Sequence, residues 1–176
     1  MKTKTKTNVK KICLTGLMAA MVTVCTAFIK IPTGINAGYL HFGDSMIYIS
    51  GCILGPWALL ASAIGGALAD ILAGSPQWAI ATAIIKALNA VPFVIMAAKY
   101  KKKNNTVKVV NKYTSPMVIV SGLITIFGYL LAEGIMYSFP SALTSVPFSI
   151  VQAVGSAIIF FVVGKIFDKA NLKIYI

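Results

Sequence analysis

The sequence has few charged residues and no arginine: 11% of its 176 residues are charged, and all 16 basic residues are lysine. Only four residues are acidic, and only one is a histidine. P-loop, HExxH and nucleophile-elbow motifs are absent, and the three cysteines stand at spacings that fit no metal site. We therefore predict no catalytic residues, no metal site, no cofactor and no ATP hydrolysis by the chain itself.

Long polar stretches are scarce as well, because hydrophobic residues make up 58% of the chain. This composition is typical of membrane proteins. A helix needs about 20 residues to cross a bilayer. Six apolar segments are candidates, at residues 12–29, 44–54, 55–74, 78–98, 116–138 and 144–167, and the second is well below that length. We predict an all-α fold: one membrane domain over residues 1–176 with six transmembrane helices. The second is too short to cross upright, and we expect it to be tilted or partly outside the membrane.

Lysines cluster in three places: residues 1–11, the connection at 99–115, and the C-terminal end. Because lysines in short loops mark the cytoplasmic side, we predict that all three clusters, and hence both termini, are cytoplasmic. No Ala-x-Ala cleavage site follows the first segment before Lys30, which favours a retained helix over a cleaved signal peptide. The net charge of +12 indicates contact with anionic lipid rather than nucleic acid, since no aromatic residues interleave with the lysines.

Polar residues recur at helical spacing inside the apolar segments. The helix sides that carry them comprise Ser62, Gly66 and Asp70 in the third segment, Thr82, Lys86, Asn89 and Phe93 in the fourth, Tyr129, Glu133 and Tyr137 in the fifth, and Ser145, Ser149, Gln152 and Ser156 in the sixth. A charge at the bilayer centre costs at least ~2.5 kcal/mol. We therefore expect these faces to turn inward and to share one polar pocket.

Nine residues are the predicted substrate contacts of this pocket: Lys86, Asn89, Glu133, Tyr137, Gln152, Tyr129, Trp78, Ser149 and Asp70. The charged and amide groups would supply hydrogen bonds, and the three aromatic rings could sandwich a flat heterocycle. The alternative is a closed network in which Lys86 pairs with Glu133 or Asp70 only to hold the helices together.

The connection KIPTGINAGYLHFGD joins the first two segments and contains three glycines. Glycines permit the backbone excursions that a lid requires, and non-helical backbone at membrane depth survives only where it lines a cavity. We predict an extracellular gating loop over residues 30–43, with Tyr39, His41 and Asp44 as its functional residues. A single histidine with no second ligand nearby does not indicate a metal site.

Small residues form a strip along the first segment, at Thr15, Ala19, Thr23 and Ala27, and the third segment repeats the pattern at Ala61, Gly65 and Ala69. Such strips allow helices to approach closely in lipid. The spacing alone leaves two interpretations open: packing inside the bundle, or a docking face for another membrane protein.

Four motifs together resemble a known family. The run NAGYLHFGDSMIYISGCILGPWALLASAIGGALADILAG is followed by IIKALNAVP, GYLLAEGIMY and VPFSIVQAVG. In order and spacing, over most of residues 12–167, they resemble the S components of energy-coupling factor (ECF) transporters. The branch they resemble includes subunits for riboflavin, the pyrimidine precursor of thiamine, and vitamin B6.

The resemblance implies a subunit of the bacterial cytoplasmic membrane that binds a vitamin from outside and associates with a T subunit and two ABC ATPases. It also implies that the strip Thr15, Ala19, Thr23 and Ala27 meets the T subunit, that the loop from Lys30 to Gly43 gates the ligand, and that the subunit topples when ATP acts on its partners. One motif departs from the branch, which often has Pro-x-Asn-x-x-Gln where this chain has Ser149 before Gln152. The lost amide bears on which ligand is bound.

The function expected from residues and resemblance together is a high-affinity substrate-binding subunit of an ATP-driven vitamin importer. Its ligand would be a small vitamin or precursor with a pyridine or pyrimidine ring. Two alternatives remain: a stand-alone proton-coupled carrier that uses Glu133 or Asp70 as the coupling carboxylate, and a membrane assembly subunit whose polar network never opens.

Overall fold

The computed structural model describes residues 2–36, 38–104 and 108–170, with side chains described from residue 9 onward. Six helices form this part of the chain: α1 (Lys2–Ala27), α2 (Asp44–Leu54), α3 (Trp57–Ala73), α4 (Ala79–Asn104), α5 (Met117–Met136) and α6 (Phe139–Lys169). A 3-10 turn, Pro76–Trp78, precedes α4. Each apolar segment predicted from the sequence contains one helix, so the predicted all-α class is confirmed.

Four stretches of the described chain are long and apolar enough to cross a membrane: Val9–Ala27, Pro76–Asn104, Met117–Met136 and Phe139–Lys169. The other two helices, α2 and α3, are apolar but have only 11 and 17 residues. At 1.5 Å per residue they are about 16 and 25 Å long, against a hydrocarbon core of about 30 Å. The chain is therefore an integral membrane protein, and the number of crossings stays a prediction.

Helix α2 ends before Gly55, which adopts a positive φ of 57° and is followed by Pro56, and all eleven of its residues are buried in the core of the bundle. It lies so close to α4 that a Cβ added to Gly51 would sit 2.8 Å from the Cβ of Phe93. Tyr48 stacks on Phe93 with ring centroids 4.6 Å apart, and Phe160 of α6 contacts the same ring at 5.1 Å. The longer helices surround α2, so its length need not match the thickness of a membrane.

Helix α1 packs against α3 through the small residues that the sequence analysis singled out. The hydroxyl of Thr23 donates to the Gly65 carbonyl at 3.0 Å, and a Cβ on Gly65 would lie 2.6 Å from the Ala19 carbonyl oxygen. Thr15 and Ala27 are buried as well. The strip therefore packs inside the bundle, which is the first of the two interpretations. A contact of the strip with a T subunit stays a prediction, and it would require α1 and α3 to separate.

The connection between α1 and α2 forms an antiparallel hairpin of two short strands, β1 (Lys30–Pro32) and β2 (Tyr39–His41). The register pairs Lys30 with His41 and Pro32 with Tyr39. Both Gly34 and Asn36 adopt positive φ values, 74° and 48°, at the tip, and the next residue, 37, lies outside the described part. The hairpin thus occupies the loop that the sequence analysis predicted as a gate, residues 30–43.

At the C-terminal end of α6, the carboxylate of Asp168 accepts hydrogen bonds from the backbone N–H groups of Val109 and Val110, at 2.7 and 3.0 Å. Val109 is fully buried. Only part of the predicted basic loop, residues 99–115, is therefore a loop. Helix α4 continues to Asn104, and residues 105–107 lie outside the described part. The segment that follows is held against α6 by Asp168.

Candidate functional site

A cavity of about 80 Å³ lies between the hairpin and helices α3 to α6. It is lined by Thr33, Gly38, Tyr39, Leu40, His41, Asp70, Trp78, Thr82, Tyr129, Glu133, Ser145, Phe148, Ser149 and Gln152. One water needs about 10–15 Å³ of such space, so the cavity has room for about five to eight waters. Six of the nine predicted substrate contacts line it, together with Tyr39 and His41 of the predicted gate; Lys86, Asn89, Tyr137 and Asp44 do not.

Lys86 is fully buried and forms an ion pair with Asp44, with Nζ 2.6 Å from Oδ1. Among the described residues neither Glu133 nor Asp70, the two partners predicted from the sequence, forms an ion pair with Lys86. Asp44 begins α2, where the helix dipole favours a carboxylate. Its other oxygen accepts from the Gln152 amide at 3.1 Å. Lys86 and Asp44 therefore neutralise each other behind the cavity wall, and they orient the amide of Gln152.

The stem of Lys86 reaches Asp44 because α3 has no side chain in its path. A Cβ on Gly66 would lie 2.9 Å from Cγ of Lys86 and 3.0 Å from Cγ2 of Thr82. The Lys86 ammonium also lies 5.0 Å from the centroid of the Tyr129 ring, which is a favourable cation–π distance. Tyr129 thus stands between the ion pair and the cavity.

Asn89 lies one helical turn from Lys86 and is also fully buried. Its side-chain amide donates to the Thr125 hydroxyl at 2.8 Å, and its backbone carbonyl accepts from the Ser121 hydroxyl at 2.9 Å. These contacts fasten α4 to α5 and do not reach the cavity.

Two carboxylates line the cavity, and each holds a residue of the hairpin. Asp70 accepts a hydrogen bond of 2.5 Å from the Tyr39 hydroxyl. Glu133 accepts one from the side-chain amide of Asn36, and a second, of 2.7 Å, from the hydroxyl of Ser145. Since Asp70 is on α3 and Glu133 on α5, the hairpin is tied to two opposite walls of the site.

Asn36 contacts the lining of the site and was not among the residues predicted from the sequence; Thr33, Leu40 and Phe148 of the lining were not predicted either. The side-chain NH₂ of Asn36 also donates to the Ser141 hydroxyl at 2.7 Å, and the backbone carbonyl of Asn36 accepts from the indole N–H of Trp78 at 3.3 Å. Asparagine tolerates the left-handed backbone that this position adopts. The stretch GINAG has the composition of a turn, but nothing local in the sequence shows that its tip contacts α5 and α6.

His41 is buried in the wall formed by the hairpin. Burial, together with the ammonium of Lys86, lowers the pKa of His41 to about 3, so the imidazole is neutral at physiological pH. Its Nδ1 accepts from the Gly43 N–H at 3.1 Å, which places the ring proton on Nε2. His41 therefore contributes a neutral side chain to the lining.

The aromatic rings form a corner rather than a parallel slot. Trp78 lies 6.0 Å from Tyr129, between ring centroids, with the planes tilted by 57°. Tyr137 lies 6.0 Å from Trp78 on a side that does not line the cavity, and it is 43% exposed. Because Trp78 and Tyr129 contact each other, a ligand ring would rest against the corner and would not fit between the two rings.

A family model described as "ECF-type riboflavin transporter, S component" matches residues 6–169. The chain belongs to this family. An archaeal relative, the "Uncharacterized protein in gap 3'region" of Pyrococcus woesei, is 32% identical over 149 residues, which are 84% of this chain and 95% of the relative. A UPF0397 protein of Lactiplantibacillus plantarum is 32% identical over 106 residues, which are 59% of this chain and 56% of that protein.

Membership confirms the predicted resemblance to ECF S components. The chain is thus a substrate-binding subunit of a membrane transporter and not an enzyme. S components of this type bind a vitamin-type ligand and associate with T and ATPase subunits. Within the described residues, no group of three or more His, Cys, Asp or Glu side chains is placed to hold a metal ion.

Proposed function

We propose that the cavity beneath the hairpin is the high-affinity ligand site of a vitamin-importing S component. The observation that carries this proposal is the convergence of polar side chains from separate helices, Asp70, Glu133 and Gln152, beside the rings of Trp78 and Tyr129. Ligand pockets combine apolar and aromatic walls with a few placed polar groups in this manner. Ser149 adds a hydroxyl at the position where the related motif has an amide.

The ligand is a small vitamin or precursor built on one pyridine or pyrimidine ring. Space for about five to eight waters suits one substituted ring. A three-ring flavin with its sugar-alcohol chain would need a wider cavity. We therefore do not propose riboflavin, the vitamin after which the family is described, as the ligand of this chain.

Lys86 supports this site from behind, through Asp44 and the amide of Gln152. Asn89 fastens α4 to α5 through Thr125, whose hydroxyl lies 3.5 Å from the second carboxylate oxygen of Asp44. Direct ligand contacts by Lys86, Asn89 and Tyr137 stay predictions, since each would require a rearrangement of the closed structure.

The hairpin acts as the gate, and its opening breaks the contacts of Tyr39 with Asp70 and of Asn36 with Glu133. The gate faces the outside of the cell, with six crossings and both termini in the cytoplasm, as the lysine distribution indicates. The T subunit and two ABC ATPases then drive release of the ligand into the cytoplasm.

Isothermal titration of the purified protein tests this function. The panel comprises riboflavin, thiamine and its pyrimidine precursor, pyridoxine, pyridoxal, pantothenate, biotin, folate and niacin. Binding of one compound tighter than micromolar is expected, and binding of none would contradict the proposal. In proteoliposomes the chain alone should give no uptake under a pH gradient, whereas a proton-coupled carrier would give uptake without ATPase partners.

A further inference from the structure

The lining of the cavity carries negative charge with no compensating cation. Its two carboxylates are Asp70 and Glu133, and no lysine is among the lining residues. Two lysines lie nearby. Lys86 is paired with Asp44, so that pair adds no net charge. Lys30 lies beyond the Tyr39 ring, 5.4 Å from its centroid, and donates to the Ala73 carbonyl at 2.8 Å.

One carboxylate oxygen of this lining is left without a partner. Oδ1 of Asp70 accepts from the Tyr39 hydroxyl, whereas Oδ2 is buried and forms no hydrogen bond of normal length in the part of the chain that the structure describes. The Thr82 hydroxyl also lies near this carboxylate, but it pairs with the Tyr129 hydroxyl at 3.2 Å. Asp70 as a whole is only 4% exposed. Buried polar atoms are nearly always satisfied, so an orphaned carboxylate oxygen at a ligand cavity indicates a donor on the ligand.

We propose that the ligand is a cation, either a protonated amine or a positively charged nitrogen heterocycle, and that Asp70 Oδ2 receives its charged nitrogen. This inference rests on the proposed function and narrows its substrate class. Tyr39 occupies the other oxygen, so Asp70 can close the gate and hold the ligand at the same time.

The rest of the lining suits a positive charge. Trp78 and Tyr129 meet in a corner, and the faces of such rings attract cations. Glu133 supplies a second negative charge at the opposite wall. Phosphorylated or carboxylate-bearing vitamins would place an anion against two desolvated carboxylates, and this like-charge contact excludes them.

The test measures the affinity of the wild-type protein for ring-matched compounds at pH 7 by isothermal titration. The pyridines are pyridoxamine with an ammonium group, pyridoxine with a neutral hydroxymethyl group, and 4-pyridoxate with a carboxylate. The pyrimidines are the aminomethyl and hydroxymethyl forms of the thiamine precursor, and thiamine supplies a fixed positive charge. In whichever ring series binds, the cationic member should bind at least tenfold tighter than its neutral counterpart, and 4-pyridoxate should not bind.

Asp70→Asn keeps the shape of the side chain and removes its charge, so the preference for the cation should fall below threefold. Asp168→Asn, a change of the same type at the far end of α6, should leave the preference unchanged. If Asp70→Asn does not fold, the affinities of the wild-type protein for the cationic, neutral and anionic compounds decide whether the ligand is a cation.

A neutral or anionic compound that binds as tightly as its cationic counterpart would overturn the charge assignment and leave the proposed function standing. An undiminished cation preference in folded Asp70→Asn would overturn the role of Asp70. No binding by any compound here or in the vitamin panel would contradict the proposed function, and this inference with it.

Discussion

Lys86 and Asp44 bring two opposite charges into the bundle with no exposed surface on either side chain. Their contact of 2.6 Å, with the Gln152 amide on the second carboxylate oxygen, replaces the water that both groups lose. A buried pair of this kind adds little net stability, but removal of one partner leaves an uncompensated buried charge. The pair therefore specifies how α2, α4 and α6 meet at the cavity wall.

Lys86→Met should destabilise the protein by roughly 3–5 kcal/mol, because it leaves the Asp44 carboxylate buried and unpaired. The double variant Lys86→Met/Asp44→Asn should recover part of this loss. Thermal unfolding in detergent measures both, with ligand titration alongside. A Lys86→Met variant that unfolds like the wild type but no longer binds ligand would instead identify Lys86 as a direct ligand contact.

His41 should make stability depend on pH. Its folded-state pKa, about 3, lies below the value of 6.5 for a free histidine, so the unfolded chain takes up the proton first as the pH falls. The His41 contribution is complete above pH 6.5 and is lost at up to about 1.4 kcal/mol per pH unit below it. The charged groups that face the ring are Lys86 and Asp44, and the Tyr39 ring lies 5.6 Å from it between centroids.

The measurement is the unfolding temperature of wild type and His41→Asn between pH 7.5 and pH 4.5. Asparagine can present an oxygen where Nδ1 accepts from Gly43. The wild type should lose stability more steeply than the variant, since carboxylates common to both cancel in the comparison. Parallel curves would show that His41 takes up its proton freely in the folded protein.

At the scale of elements, close approach between helices depends on glycine at defined positions. Gly65 lets α1 contact α3, Gly51 lets α2 contact α4, and Gly66 leaves space for the stem of Lys86. Close packing is the main source of helix association in lipid, where burial of apolar side chains contributes little. Hydrogen bonds across helices, such as Thr23 to Gly65, add direction to this packing.

Gly65→Ala should therefore push α1 away from α3 and lower the free energy of unfolding by about 1–3 kcal/mol, the usual range for overpacking. Its added Cβ would meet the rigid backbone oxygen of Ala19 at 2.6 Å. Gly16→Ala is the matched control, because a Cβ there meets nothing within 4 Å and alanine favours a helix. The unfolding temperatures of the two variants test this, and equal values would contradict the α1–α3 contact.

For the whole molecule, the short helix α2 decides the architecture. All 11 residues of α2 are buried at the centre of the bundle, and the longer helices pack around it. The polar residues of the site then lie at the hairpin end of the bundle, and the lysine-rich connection of α4 to α5 lies at the other. One end receives the ligand and the other faces the ATP-driven partners in the proposed transport cycle.

This orientation is tested by labelling single cysteines in a variant whose natural cysteines are replaced. Lys102→Cys should react with a membrane-impermeant maleimide only after the cytoplasmic side is opened. Gly34→Cys, at the hairpin tip, should react in intact cells. The reverse pattern, or labelling of both from one side, would contradict the proposed topology.

Much of the candidate site follows from helical spacing, because Asp70, Glu133, Ser149 and Gln152 all line the cavity that their periodicity predicted. The spacing was least informative where contacts are remote in sequence. Neither the pairing of Lys86 with Asp44 nor the contact of Asn36 with Glu133 has a local signature, since the partners are separated by 42 and 97 residues.

The sequence by itself determined the membrane class, the six helical segments, the family and the residue types available to a ligand, because hydropathy, lysine distribution and helical period are local properties of the chain. Only the tertiary structure decided which charges cancel. By placing the N-terminus of α2 beside Lys86, it neutralises the buried lysine and leaves Asp70 and Glu133 to set the charge of the cavity. That outcome depends on packing in three dimensions, which no pattern along the chain encodes.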